Sequence, residues 1–150
     1  MLEKEKVYTL LKSELIQRIS ALKNVLNSSF EAVASEDTKS SAGDKHETSV
    51  SMAQLEQEKL THQINVLLSL EQQLIKIQSD TIHTQVQLGS LIETNKGVFY
   101  ISIGLGNIKS NDFNFFAVGK EAPLVQLLIG KKVGQVVEYN GSKTEIIRIV

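Results

Sequence analysis

Two long stretches of the chain repeat apolar residues every three or four positions, and the rest alternates them at shorter range. From Glu5 to Ala34 there is no Gly or Pro. Tyr8, Leu11, Leu15, Ile19, Leu22, Leu26, Phe30 and Val33 fall on one helical face, widened by Leu10, Ile16 and Val25. Such a helix rises roughly 42 Å at about 1.5 Å per residue, too long for a small domain to enclose. It calls for a helical partner. Met52, Leu55, Leu60, Ile64, Leu67, Leu70, Leu74 and Ile77 supply one. Between the two runs, Ser35 to Ser49 is rich in Ser and Thr, carries Gly43 as a breaker and reads as a loop, with Asp44 or Thr48 as the N-cap of the second helix. Two long amphipathic helices joined by a short connection predict an antiparallel, coiled-coil hairpin.

After Ser79 the period changes. Val86 to Ile92, Val98 to Ile103 and Phe113 to Val118 are rich in β-branched or aromatic residues and bounded by Gly and Asn, which is strand chemistry. Pro123 followed by Leu124 to Ile129 predicts a short helix closed by Gly130. Val133 to Tyr139 and Thr144 to Val150 predict two strands around an Asn140-Gly141 hairpin turn. The expected class is α+β: a helical hairpin over residues 1–79, then a small antiparallel sheet with one short helix over residues 80–150.

With 41% hydrophobic residues and a formal net charge of -1, the chain has the balance of a folded domain. The absence of Cys removes disulfide and thiolate chemistry and fits a reducing compartment. No run approaches the roughly 20 apolar residues of a membrane span, and the charged start lacks a secretory apolar region. Cytoplasmic location without membrane association is the expectation.

No nucleophile and base form a recognisable catalytic set. His46, His62 and His83 are scattered, without metal-ligand spacing. Gly104-Leu105-Gly106 lacks the third Gly of a dinucleotide loop and reads as a turn. Lys131 and Lys132 suit the carbonyl end of the preceding helix. The hairpin tip differs in its charge. From Glu31 to His62 seven acids stand against three bases, a net of four negative charges, while the rest of the chain is net positive. Within that stretch Asp44 and Glu47 are three positions apart. They fit a variant of the capping box, and equally a pair of hard oxygen ligands for Mg²⁺ that is incomplete by itself. Lys12, Arg18, Lys23, Lys45 and Lys59 are candidate contacts for nucleic-acid phosphates, or a solvated surface.

The tail from Ala122 to Val137, APLVQLLIGKKVGQVV, resembles the SPxxxALlGKkvGDvV signature of the C-terminal domain of the Gre transcript-cleavage factors. Gly43-Asp44-Lys45-His46-Glu47 resembles their tip, GDxxENAEY, with both acids at matching positions. Chain length and element order agree as well. The resemblance implies a non-enzymatic elongation factor that binds bacterial RNA polymerase. In that family the hairpin enters the secondary channel, and the tip acids, here Asp44 and Glu47, help hold a Mg²⁺ shared with the polymerase active site. The polymerase itself then cuts the backtracked nascent RNA. The sheet domain is expected to be FKBP-like and to dock at the channel rim. Two departures stand out: Thr48-Ser49-Val50-Ser51 replaces the Asn-Ala-Glu-Tyr run, and Gly134-Gln135 replaces Gly-Asp.

Three other readings remain open: a channel binder of the same fold that regulates or inhibits the polymerase without cleavage, a peptidyl-prolyl isomerase built on the sheet domain, and a structural coiled-coil dimer. The sequence leaves the oligomeric state undetermined.

Overall fold

The structure, a computed structural model, describes residues 3–39 and 43–150, with the side chains of residues 33–47 outside the described set. Helices α1 (Lys4–Lys39) and α2 (Gly43–Ile75) come first. They are followed by β1 (Leu91–Thr94), β2 (Gly97–Ser102), β3 (Gly106–Lys109), β4 (Asn114–Gly119), α3 (Pro123–Leu128), β5 (Val136–Tyr139) and β6 (Ser142–Ile149). The α+β class and the element order are as expected. The chain divides into two compact units, Leu15–Ser69 and a second formed by Met1–Glu14 with Leu70–Val150.

The expected loop over Ser35–Ser49 is mostly helix. α1 continues to Lys39 and α2 already begins at Gly43. Extending a formed helix costs little per residue, and residues 35–39 contain neither Gly nor Pro to stop it. Gly43 opens α2 instead of breaking the chain, at a position whose N–H needs no intrahelical partner. Asp44 and Thr48, the two candidate caps, both lie inside the helix.

In the helical unit the two helices run antiparallel. Leu22 shares a cleft with His62, Val66 and Leu67, while Ser29, further along α1, accepts a hydrogen bond from Gln57 Nε2 at 3.3 Å, earlier on α2. Leu15 and Ile19 of α1 and Leu60 and Ile64 of α2 are buried. The seam departs from the simple heptad reading toward the tip. Phe30, Met52 and Leu55 are more than half exposed, and the half-buried Ser29 and Gln57 lie between the helices instead.

The sheet unit is one six-stranded sheet in the order β3-β4-β2-β1-β6-β5. It is mixed and not purely antiparallel, since β2 and β4 pair in parallel with Phe99 opposite Phe116. The cause is β3, a four-residue edge strand for which the sequence reading had no element. It pairs antiparallel to β4 and lets β4 lie alongside β2 in the same direction. The strand expected from Val86 is shorter as well, because Gly89, at φ 91, interrupts the extended path and β1 starts only at Leu91.

One face of the sheet holds Ile92, Phe99, Ile101, Val137 and Ile146 against Val125 and Leu128 of α3. The other carries Leu91, Tyr100, Phe115 and Ala117, all buried. On that side lie the first turns of α1: Lys6 pairs with Asp112 at 3.4 Å and lies 5.9 Å over the Phe113 ring. Asn140 (φ 52) and Gly141 (φ 76) close the β5–β6 hairpin with two left-handed residues, as the twist of a two-residue hairpin demands.

Candidate functional site

The backbone places Asp44 and Glu47 within the first turns of α2, which begins at Gly43. Three helical residues separate their Cα positions by a rise of about 4.5 Å. The amides that open a helix are unpaired and carry positive partial charge, so acids are electrostatically favoured there. The side chains of Asp44, Lys45, His46 and Glu47 lie outside the described residues, so neither the capping nor the metal-ligand expectation is met or refused by side-chain geometry. Two carboxylates suit Mg²⁺, and two are too few for its octahedral shell. Among the described residues no group of three or more His, Cys, Asp or Glu is arranged to hold a metal ion.

In the tail that carries the Gre-like pattern, the Pro, Gly and core positions each have a local structural reason. Ala122 is extended (φ -60, ψ 136) and Pro123 follows in the first turn of α3, where its missing N–H costs nothing. Val125 and Leu128 turn into the core. Gly130 takes φ 82 and its N–H donates to Val86 O at 2.8 Å, while the Val86 N–H donates back to Lys131 O at 2.9 Å. Gly134 (φ 91) donates to Ile146 O. Gln135, where the Gre pattern has Asp, accepts the Lys132 N–H through Oε1 at 2.7 Å. An acceptor is all that this position requires, and both side chains supply one. The Gly104–Gly106 segment is a turn feeding β3, with Leu105 N–H directed at Ile103 O and Ala117 O.

The sequence reading missed a polar cluster in the sheet unit. Lys4 is only 5% exposed at the first residue of α1, where a cation is disfavoured by the helix dipole. Its ammonium donates instead to the carbonyls of Thr81 and of Val150, the latter at 3.1 Å. Burial lowers the Lys4 pKa, and Asp80 partly offsets the shift. Nearby, His83 Nδ1 is 2.7 Å from Ser90 Oγ, which is fully buried and also accepts the Gln87 N–H. Burial, then the Lys4 charge, lower the His83 pKa below its usual value. Nothing in periodicity could have signalled either residue, because both partners are brought in by the fold.

The neutral ring of His83 is favoured in the folded state, so this stabilisation is present above the ordinary histidine pKa of about 6.5 and is lost as pH falls through the lower folded value. Thermal melting of the wild type should therefore decline on acidification more than that of His83→Gln. Parallel pH profiles for the two proteins would remove His83 from the account.

Two small cavities flank Ile77 and Leu88 in the sheet unit. One of about 180 Å³ meets Lys76, Lys120, Glu121 and Ser102, and the other of about 200 Å³ meets Lys76, Thr81 and His83. Both fall below the roughly 300 Å³ at which ligand pockets usually begin, and neither has the aromatic wall that an isomerase pocket requires. Among the described residues no helix is long and apolar enough to cross a membrane.

No protein-family model matches the chain. No curated protein sequence matches it either. The solved structure of the transcription factor Gfh1 is similar over 92% of this chain and 92% of that one, at 15% identity and a TM-score of 0.38. A likeness of that size carries no argument, and the α+β architecture stands on its own strand registers and helices.

Proposed function

We propose that the chain is a Gre-type transcription elongation factor: it binds bacterial RNA polymerase, inserts its helical hairpin into the secondary channel and stimulates the polymerase's own cleavage of backtracked RNA. The observation that carries this reading is the tail from Ala122 to Val137. Its Pro and Gly positions match the Gre pattern and each has a structural role in this fold, and Gln135, where the pattern has Asp, still supplies an acceptor. Asp44 and Glu47 are the residues assigned to the chemistry. A polymerase holds one catalytic metal tightly and a second weakly, and carboxylates delivered from outside complete the weak site for two-metal hydrolysis. The Mg²⁺ is thus shared with the polymerase, and the chain is a cofactor of that enzyme, without catalytic activity of its own. Cytoplasmic location follows from the partner.

A second reading, a channel binder that regulates without cleavage, is favoured by Thr48-Ser49-Val50-Ser51, which lacks the acid and the aromatic of the Gre tip and continues α2 as helix. The deciding experiment adds wild-type chain to backtracked elongation complexes and follows both binding and RNA length. Mg²⁺-dependent shortening is the result expected. Binding with slowed elongation and intact RNA would leave the channel regulator, and absence of binding would remove both.

A further inference from the structure

A two-helix coil needs one apolar stripe on each helix, and α2 has two. The first is the buried seam through Leu60 and Ile64. The second runs through positions 52, 55, 59, 62 and 66, in steps of three and four, about a third of a turn around the helix from the seam. Met52 and Leu55 are each 66% exposed and Val66 is 47% exposed. Beside this stripe the two helices leave an apolar cleft of about 290 Å³ walled by Leu22, Val66 and Leu67. Val25, three residues on from Leu22, is 52% exposed.

We infer that this second stripe is a self-association surface, through which two copies of the chain pack their hairpins antiparallel about a two-fold axis. The charges within the stripe select that occupant. Lys59 and His62 interrupt the apolar positions, and Glu56, three residues before Lys59, lies at their margin, all three exposed. An antiparallel copy whose axis passes near Gln57 brings Lys59 of each chain beside Glu56 of the other. The surface therefore carries its own complement, and a single symmetric contact matches both charges while Met52, Leu55 and Val66 leave water. The side chains come from one unit of the chain, so the surface is complete within the hairpin. Pairing covers the element that the proposed function sends into the polymerase. The dimer is then a closed form from which the monomer must dissociate before it acts. The pairing itself does not rest on the polymerase reading.

Sedimentation equilibrium on the full chain tests it. Wild type should show a concentration-dependent monomer–dimer equilibrium. The triple variant Met52→Gln/Leu55→Gln/Val66→Gln should weaken it about a hundredfold, with unchanged helical circular dichroism because all three side chains are exposed. Lys59→Glu should weaken the dimer, and adding Glu56→Lys in the same chain should restore it. A wild type that stays monomeric at every concentration, growth into open higher assemblies, or failure of the double charge reversal to restore pairing would each overturn the inference. Polymerase binding is measured separately. A chain that dimerises without binding polymerase keeps this surface and loses the proposed function, and the opposite pattern does the reverse.

Discussion

Replacing Asp44 by Asn, or Glu47 by Gln, should lower stimulated RNA cleavage by roughly a hundredfold or more while binding to the polymerase and the melting temperature hold. Both residues lie in the opening turns of α2, where a negative charge gains about 0.3–1 kcal/mol from the helix dipole. Removing the charge therefore changes stability by less than a domain of this size would register as unfolding. Its effect on a weakly held metal is far larger, because a carboxylate ligand replaced by an amide withdraws both charge and affinity from the weak site of a two-metal centre. A cleavage assay with increasing Mg²⁺ checks this. The amide variants should require more metal for the same rate, which a purely structural role for the acids would not produce. Equal cleavage by wild type and variants would leave the two acids only a favourable charge at the start of α2.

A comparable effect of another kind is expected in the sheet unit. Leu128→Ala should cost about 2–5 kcal/mol, a large part of the roughly 5–15 kcal/mol that holds a domain folded. Leu128 is fully buried and, with Val125, fixes α3 onto Ile92, Phe99, Ile101 and Ile146. Its loss leaves a cavity between one short helix and the sheet, and a six-residue helix has no stability of its own to compensate. The neighbouring residue provides the control. Leu127 is 41% exposed, and Leu127→Ala should change stability by only about 0.5 kcal/mol. Urea unfolding of the two variants reads the contrast directly. Similar midpoints would mean that α3 does not cap the core in solution.

Much of this architecture was legible from spacing. The two helical runs, the Pro123 start of α3, the Gly130 stop and the Asn140-Gly141 turn each follow from one local rule, and each element is present. The misreadings arose where a local rule competed with something longer. The Ser/Thr-rich stretch before Gly43 looks like a loop by composition, yet helix propagation carries α1 to Lys39. β3 is four residues flanked by glycine and polar turns, and its pairing with β4 is a tertiary event without a sequence period. Met52, Leu55 and Phe30 have the spacing of a core face, but spacing cannot tell a helix with two apolar stripes from a helix with one. Of the candidate site, the pair Asp44 and Glu47 was visible as a charge anomaly, and the resemblance supplied its chemistry. The partners of Lys4 and His83 were invisible, because carbonyls of Thr81 and Val150 and the hydroxyl of Ser90 reach them only after folding.

The outer strands of the sheet bear on how the protein survives at high concentration in a cell. β3 and β5 each present an unpaired row of amides and carbonyls, the usual template on which a neighbouring chain adds a strand and begins to aggregate. Both are only four residues long, β3 ends in Lys109 and β5 carries Glu138, and each is folded back on its inner neighbour by a tight turn. A visiting strand would find too few hydrogen bonds to outweigh the charge it must bury. Growth along the sheet is thereby discouraged at both ends.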